Sequence, residues 1–321
     1  MRRIAVFSAL PLLAAIALAG CGGSSTSAGS AAVKVTGSFG KAPVVVIPSQ
    51  KAGSKLAVQT VVHGSGQPLT KSEAFVGNYA IYLWSGTSHK LLQSTFKTGS
   101  PTLFSGQLLP GLESALVGQK MGSRVVAVIP PAEGFGKSGD PQAGIKGTDT
   151  LVFVVDMLKD FAATADTAGH QVSAGKGLPT VSSTTGAAPT IKIPSGAKPP
   201  ANLVSKTLVK GTGPTVAQGD TVVVQYTGVN WRTGQVFDAS WKHGTGGQPF
   251  GFTIGASPSQ VIVGWDKGLA GQTVGSRILL VIPPADGYGK TGSPQAGIKG
   301  TDTLVFVVDI IGTFNAHSAA S

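Results

Sequence analysis

The sequence predicts two tandem α+β domains, each an antiparallel sheet curled around one short helix. Three observations lead there. The stretch PQAGIKGTDTLVFVVD stands at Pro141–Asp156 and again, letter for letter, at Pro294–Asp309, which marks a duplication. Glycine supplies 46 of 321 residues and proline 20 more, so short strands joined by many turns fit better than long helices. Nothing in the chain alternates a strand with a long helix, as a parallel sheet requires.

The N-terminus comes first in chain order. Residues 1–20, MRRIAVFSALPLLAAIALAG, have a basic start and an apolar stretch too short for a stable membrane span. They read as a secretory signal peptide. LAGC ends on Cys21, the only cysteine in the chain, and resembles the bacterial lipobox in which that thiol is acylated. The expectation is an exported lipoprotein anchored at the outer face of the cell membrane. Its mature charge would be 11 − 2 = +9 once Arg2 and Arg3 are removed. The arginine pair alone gives little support to twin-arginine export. Residues 21–36 are small and polar and read as a flexible tether. The net charge arises mainly because acids are scarce, and the lysines are scattered. That suits a surface beside anionic lipid better than a nucleic-acid face, which gathers its basic residues.

The repeat extends well beyond the shared sixteen residues. IPPAEGFGK (Ile129–Lys137) matches IPPADGYGK (Ile282–Lys290), and VGQKMGSR (Val117–Arg124) matches AGQTVGSR (Ala270–Arg277), each at an offset of 294 − 141 = 153. Upstream, VVHGSG (Val61–Gly66) matches LVKGTG (Leu208–Gly213) at 208 − 61 = 147. Copy one therefore runs over residues 37–160, a linker rich in Ala, Ser, Thr and Gly over 161–185, copy two over 186–314, and a tail over 315–321. Between Phe96 and Gly111 copy one holds 14 residues, whereas copy two holds 22 between Trp241 and Gly264. The copies part company in that segment. In copy two, Thr221–Tyr226, Ile278–Ile282 and Leu304–Ile311 read as strands, being short, β-branched and bounded by turns. Gln260–Gln272 offers one short helix, although Gly264 and Gly268 weaken it by propensity.

Most catalytic sets are missing. GKS and GKT (Gly136–Ser138, Gly289–Thr291) lack the upstream glycine of a phosphate-binding loop, with Pro131 and Pro284 in its place. The five histidines are isolated, without metal-ligand spacing, and an acylated Cys21 leaves no thiol nucleophile. Neither metal nor cofactor is expected, nor a nucleic-acid partner. A set of aromatics around one acid remains. It runs QYTGVNWRTGQVFDASW (Gln225–Trp241), PFGFTIG (Pro249–Gly255), QVIVGWDKGL (Gln260–Leu269), GYGKTG (Gly287–Gly292), and then Ile298 and Phe306 of the repeated segment.

That ordered series resembles the FKBP-type peptidyl-prolyl isomerase family over essentially all of copy two. The resemblance implies a five-stranded sheet wrapped across a short helix. It also implies catalysis by Tyr226, Phe237, Asp238, Trp265 and Tyr288, with substrate contacts from Phe250, Val261, Ile262, Ile298 and Phe306. Trp265 would be the pocket floor, Tyr288 a hydrogen-bond donor from a loop, and Asp238 an acid at the rim. The expected ligands are proline-containing segments of exported, unfolded proteins, with a macrolide as a further ligand. An arginine common beside the pocket aspartate is missing, and Lys242 and His243 are the nearest candidates to replace it. The same pocket also allows a non-enzymatic chaperone or adaptor. A purely structural envelope lipoprotein is a third reading. Phe252 and Phe314 read as core, and Arg124 and Arg277, matched between copies, as structural.

Copy one keeps Tyr79, Ile145 and Phe153. It has Leu112 at the tryptophan position, Leu92–Gln93 at Phe237–Asp238 and Phe135 at Tyr288, and its shorter segment is the one that carries Phe250 in copy two. The expectation is a degenerate domain without significant isomerase activity.

Overall fold

The computed structural model describes residues 32–71, 73–244 and 247–315. The expected signal peptide, Cys21, the tether up to residue 31 and all but the first residue of the tail lie outside the described residues. Among those described, no helix is long and apolar enough to cross a membrane.

Copy one contains β1 (Lys34–Thr36), β2 (Val44–Val46), β3 (Ala57–Val62), β4 (Ala74–Ser85) and β5 (Ser88–Ser94). They are followed by α1 (Thr95–Thr98), β6 (Thr102–Phe104), α2 (Pro110–Leu116), β7 (Arg124–Ile129) and β8 (Thr150–Phe161). Copy two repeats the series without the four-residue helix. It comprises β9 (Thr180–Ser182), β10 (Thr190–Lys192), β11 (Val204–Val209), β12 (Thr221–Asn230), β13 (Val236–Ala239), β14 (Phe250–Thr253), α3 (Val263–Leu269), β15 (Arg277–Ile282) and β16 (Leu304–Phe314).

Each copy builds one antiparallel sheet, in the order β3-β7-β8-β4-β5 and β11-β15-β16-β12-β13. In copy two, β13 pairs with the Thr227–Val229 end of β12, and β14 pairs with its Thr221–Val224 end. The fifth position of the expected sheet is thus one edge shared by two short strands. Copy one splits the same edge between β5 and β6.

Pleating sorts the long strands onto two faces. Val222, Val224, Tyr226, Phe306, Val308, Ile310, Ile278, Leu280 and Ile282 face the helix side, while Val305, Val307, Leu279 and Val281 face away. Both faces are buried, which is why these strands read as unbroken apolar runs. The two helix glycines have a steric reason. A Cβ at Gly264 would lie 2.6 Å from Ile282 Cγ2, and one at Gly268 2.5 Å from Leu280 Cδ2. Their absence of side chain lets α3 settle directly on the sheet, and that contact outweighs a propensity cost of about 1 kcal/mol per glycine.

The outer face of each sheet is covered by segments expected to be unstructured. In copy one the end of the tether forms β1, paired with β2, and buries Val33, Val35 and Ile47 against Trp84, Val126, Val152 and Val154. In copy two the linker supplies β9, paired with β10, and Ile191 packs with Trp231, Leu279 and Val305. Phe161, assigned to the linker from composition, is the buried last residue of β8. A buried ion pair fastens each covering segment. Arg124 binds both oxygens of Asp156 at 2.6 and 2.7 Å and donates to the Gly37 and Lys41 carbonyls, while the Gly40 amide donates to Asp156 at 2.7 Å. Arg277 grips Asp309 with the same geometry and donates to Gln171 and Ser183, and Thr167 donates to Asp309. Both arginines are structural, as expected. Each hairpin is held both by the valines or isoleucines it buries and by arginine hydrogen bonds to carbonyl and side-chain oxygens, neither of which composition reveals.

Candidate active site

Copy two opens a cavity of about 350 Å³ on the helix side of its sheet. Its lining includes nine of the ten expected pocket residues, namely Tyr226, Phe237, Asp238, Phe250, Val261, Ile262, Trp265, Tyr288 and Phe306, together with His243 and Gln260. Ile298 is the exception. It is buried in the same core, with its backbone bridged to Ser293, and does not face the cavity.

The floor is Trp265, only 4% exposed on α3. Its indole meets the rings of Tyr226, Phe306, Phe252 and Phe250 at centroid distances of 5.1, 5.2, 5.5 and 6.2 Å, all steeply inclined. Edge-to-face pairs of this kind contribute about 0.5–1.5 kcal/mol each beyond area burial, so the floor is rigid. Phe252 is core, as expected. One wall is formed where Phe237 meets Phe306 edge-on at 5.4 Å. These two rings cross over Gly228, which lies opposite Phe306 on one side and Asp238 on the other. A Cβ at Gly228 would lie 2.8 Å from Phe237 Cζ and 2.8 Å from Phe306 Cε1. Gly228 is not among the expected pocket residues. The signal was available, because copy one has Ile81 at the matching position.

The polar side of the cavity is a short chain of groups. The Tyr226 hydroxyl donates to Asp238 Oδ2 at 2.5 Å, and His243 Nε2 lies 2.8 Å from Asp238 Oδ1. Burial first, and then the Asp238 carboxylate beside it, hold the Tyr226 phenol far above its ordinary pKa. Tyr226 is therefore a neutral donor. Tyr288, in the loop after β15 and 42% exposed, is also raised, by burial and then by the charge of Asp238. Asp238 is 44% exposed, so the acid sits at the mouth of an otherwise apolar cavity. His243, rather than Lys242, takes the place beside it.

Copy one is closed at each of these points. Ile81 and Leu92 pack into its core where copy two has Gly228 and Phe237. Phe104 stacks on Phe75 at 4.6 Å and meets Tyr79 at 5.5 Å, with Leu112 in the same cluster where Trp265 would stand. Register places Thr102 at the Phe250 position and Gln93 at the Asp238 position. The carboxylate, the indole and the wall are replaced together.

In copy two the sheet folds over one short helix and leaves an aromatic box between them, the architecture of a small-ligand or peptide-binding domain. The model of the FKBP-type peptidyl-prolyl cis-trans isomerase family matches residues 71–158 and 213–311, which is 88 + 99 = 187 of 321 residues. The chain belongs to this family of isomerases, and carries its domain twice. An FK506-binding protein of Streptomyces anulatus is 44% identical over 123 residues, covering 38% of this chain and 94% of that protein. A probable FK506-binding protein of Corynebacterium glutamicum is 38% identical over 125 residues, covering 38% of this chain and 96% of that protein. The crystal structure of FkpA from Escherichia coli is 36% identical and covers 38% of this chain and 54% of that one, at a TM-score of 0.32.

Proposed function

We propose that copy two is the working prolyl isomerase of a lipoprotein tethered through Cys21 to the outer face of the cell membrane, where it speeds the folding of exported proteins. Copy one is its inactive partner. The observation that carries the assignment to copy two is the cavity itself. An indole floor, two crossed phenylalanines and a Tyr226–Asp238 pair surround one open space in copy two, whereas copy one, though it keeps Tyr79 and Phe153, has Leu112, Leu92 and Gln93 in place of Trp265, Phe237 and Asp238.

The chemistry asked of such a site is modest. Rotating a peptide bond costs about 18–20 kcal/mol because resonance keeps it planar. The twisted state has lost that resonance and carries less charge on its carbonyl oxygen. A dry aromatic cavity disfavours the planar, more polar form relative to the twisted one, so the site binds the transition state better than the ground state. Tyr288 at the mouth can donate to a substrate carbonyl. Asp238, oriented by Tyr226 and His243, places a fixed negative charge at the entrance. The proline ring fits the floor over Trp265. The FK506-binding proteins among the relatives suggest that a macrolide of that kind occupies the same box.

The test is a coupled prolyl-peptide isomerisation assay on the full chain beside Trp265→Leu and Asp238→Gln, which write copy one's residues into copy two. Both variants should lose most of the activity. Unchanged turnover would show that the site is elsewhere, and a chain that binds proline peptides without accelerating them would be an adaptor. Anchoring is tested separately. Cys21→Ala should release the protein from the membrane fraction, and continued retention would refute lipidation.

A further inference from the structure

The two copies are joined by a core of their own, and its construction is asymmetric. Val76, Leu103, Leu158 and Phe161 of copy one meet Val223, Ile311 and Phe314 of copy two. At the repeat offsets, Val76 corresponds to Val223 (76 + 147), Leu158 to Ile311 and Phe161 to Phe314 (158 + 153, 161 + 153). Each copy thus offers the same face to the other, as in an isologous dimer. Two positions break the symmetry. Leu103 of copy one matches Gly251 of copy two by register, and Lys159 matches Gly312 by offset. Both glycines are holes filled from across the interface. A Cβ at Gly251 would lie 2.6 Å from Leu103 Cβ, and one at Gly312 2.8 Å from Phe161 Cζ. Phe314, expected to be ordinary core, meets Phe161 edge-on at 6.0 Å in this interface.

The interface leads into the cavity by two routes. Gly251 separates Phe250, a cavity wall, from Phe252, which supports the floor, so Leu103 presses on the strand that carries both. The Thr221 hydroxyl donates to the Pro101 carbonyl at 2.6 Å and pins the same end of β12. The second route is a hydrogen-bond relay. Gln225 Nε2 donates to the Ala163 carbonyl at 2.8 Å, Gln225 Oε1 accepts from the Ser240 hydroxyl, and Ser240 Oγ accepts from the Tyr226 amide at 2.8 Å. Ser240 stands two residues after Asp238.

We infer that copy one, though closed as an isomerase, positions the isomerase cavity of copy two, and that Leu103 is the residue through which it does so. Leu103 acts through Gly251 and its neighbour Phe250. The inference rests on copy two being the working domain. It predicts that a change in the inactive copy alters substrate binding in the active one.

The experiment uses the full chain with Leu103→Ala, Leu103→Gly, Gly251→Ala, Leu103→Gly combined with Gly251→Ala as the double variant, and Leu103→Met as the conservative variant. Two quantities are read: KM and kcat on a proline tetrapeptide, and amide exchange over Phe250–Thr253. Leu103→Ala should raise KM about tenfold with little change in kcat, short of the ~10²-fold that an ångström of misplacement can cost. Exchange in β14 should quicken. Leu103→Met should restore both. In the double variant the new Cβ at residue 251 takes the space of the Leu103 Cβ that would lie 2.6 Å from it, so its KM should fall back towards wild type. A wild-type KM and wild-type exchange in Leu103→Ala, or strictly additive losses in the double variant, would overturn the inference. An inactive wild-type chain would instead sink the isomerase reading, and β14 exchange in the variants would still decide whether Leu103 positions that strand.

Discussion

Gly228→Ile writes copy one's Ile81 into the cavity wall of copy two, and the geometry sets the size of its effect. The first added atom already lies 2.8 Å from both Phe237 and Phe306, inside van der Waals contact, and both partners are aromatic rings held in the strands. Overpacking a well-filled site costs about 1–3 kcal/mol. Separating the Phe237–Phe306 pair, at 5.4 Å, removes a further ~0.5–1.5 kcal/mol. At about 2–4 °C per kcal/mol for a protein domain of this size class, the thermal midpoint should fall by roughly 3–18 °C. Isomerase activity should fall with it, because the displaced rings are the wall. Adding Phe237→Leu then completes copy one's own pairing of isoleucine with leucine. The double variant should recover stability, with a coupling of about 0.5–3 kcal/mol between neighbouring sites, while activity stays low. Calorimetry and the coupled peptide assay on the four proteins of this cycle read both quantities. Full activity in Gly228→Ile, or a double variant no more stable than the single, would refute the claim that Gly228 holds the cavity open.

Two further predictions concern stability alone. Arg277→Met leaves Asp309 buried without its cation, and breaking such a pair should cost about 3–5 kcal/mol in chemical denaturation. Burial, opposed in the wild type by Arg277, already pushes the Asp309 carboxyl up. In the variant the folded state would hold a proton that the unfolded state releases near pH 3.9, so its stability should decline as pH rises above that value. A pH-independent loss would count against this account. Asp302→Asn acts in the opposite direction. Asp302 accepts from Arg232, Asn230 and the Lys299 amide, and the Arg232 hydrogen bonds chiefly hold its carboxyl well below the usual range. Its stabilising effect is complete above the unfolded value of about 3.9 and is lost as pH falls through and below it. The wild type should therefore lose this advantage over Asp302→Asn on acidification, as read by denaturation midpoints from pH 7 down to pH 2.

The chain's duplication, its antiparallel strands and nine of the eleven residues that line the cavity were legible in the sequence. Apolar runs bounded by turns and a fixed order of aromatic motifs are local properties, and they survive reading in one dimension. The differences between the copies at Trp265, Asp238 and Tyr288 were legible for the same reason. Three matters belonged to the tertiary structure. Whether Gly264, Gly268 and Gly228 weaken their elements or let them approach depends on what lies within 3 Å of an absent Cβ, and only packing supplies that. The hairpins on the outer faces begin in stretches that read as tether and linker, yet buried valines and isoleucines hold them, and Arg124 and Arg277 fasten them from beneath through partners as far as 106 residues away. The seating of Leu103 on Gly251 joins strands from opposite halves of the chain. Local pattern determines which residues can form a pocket, and long-range contact determines what holds it open.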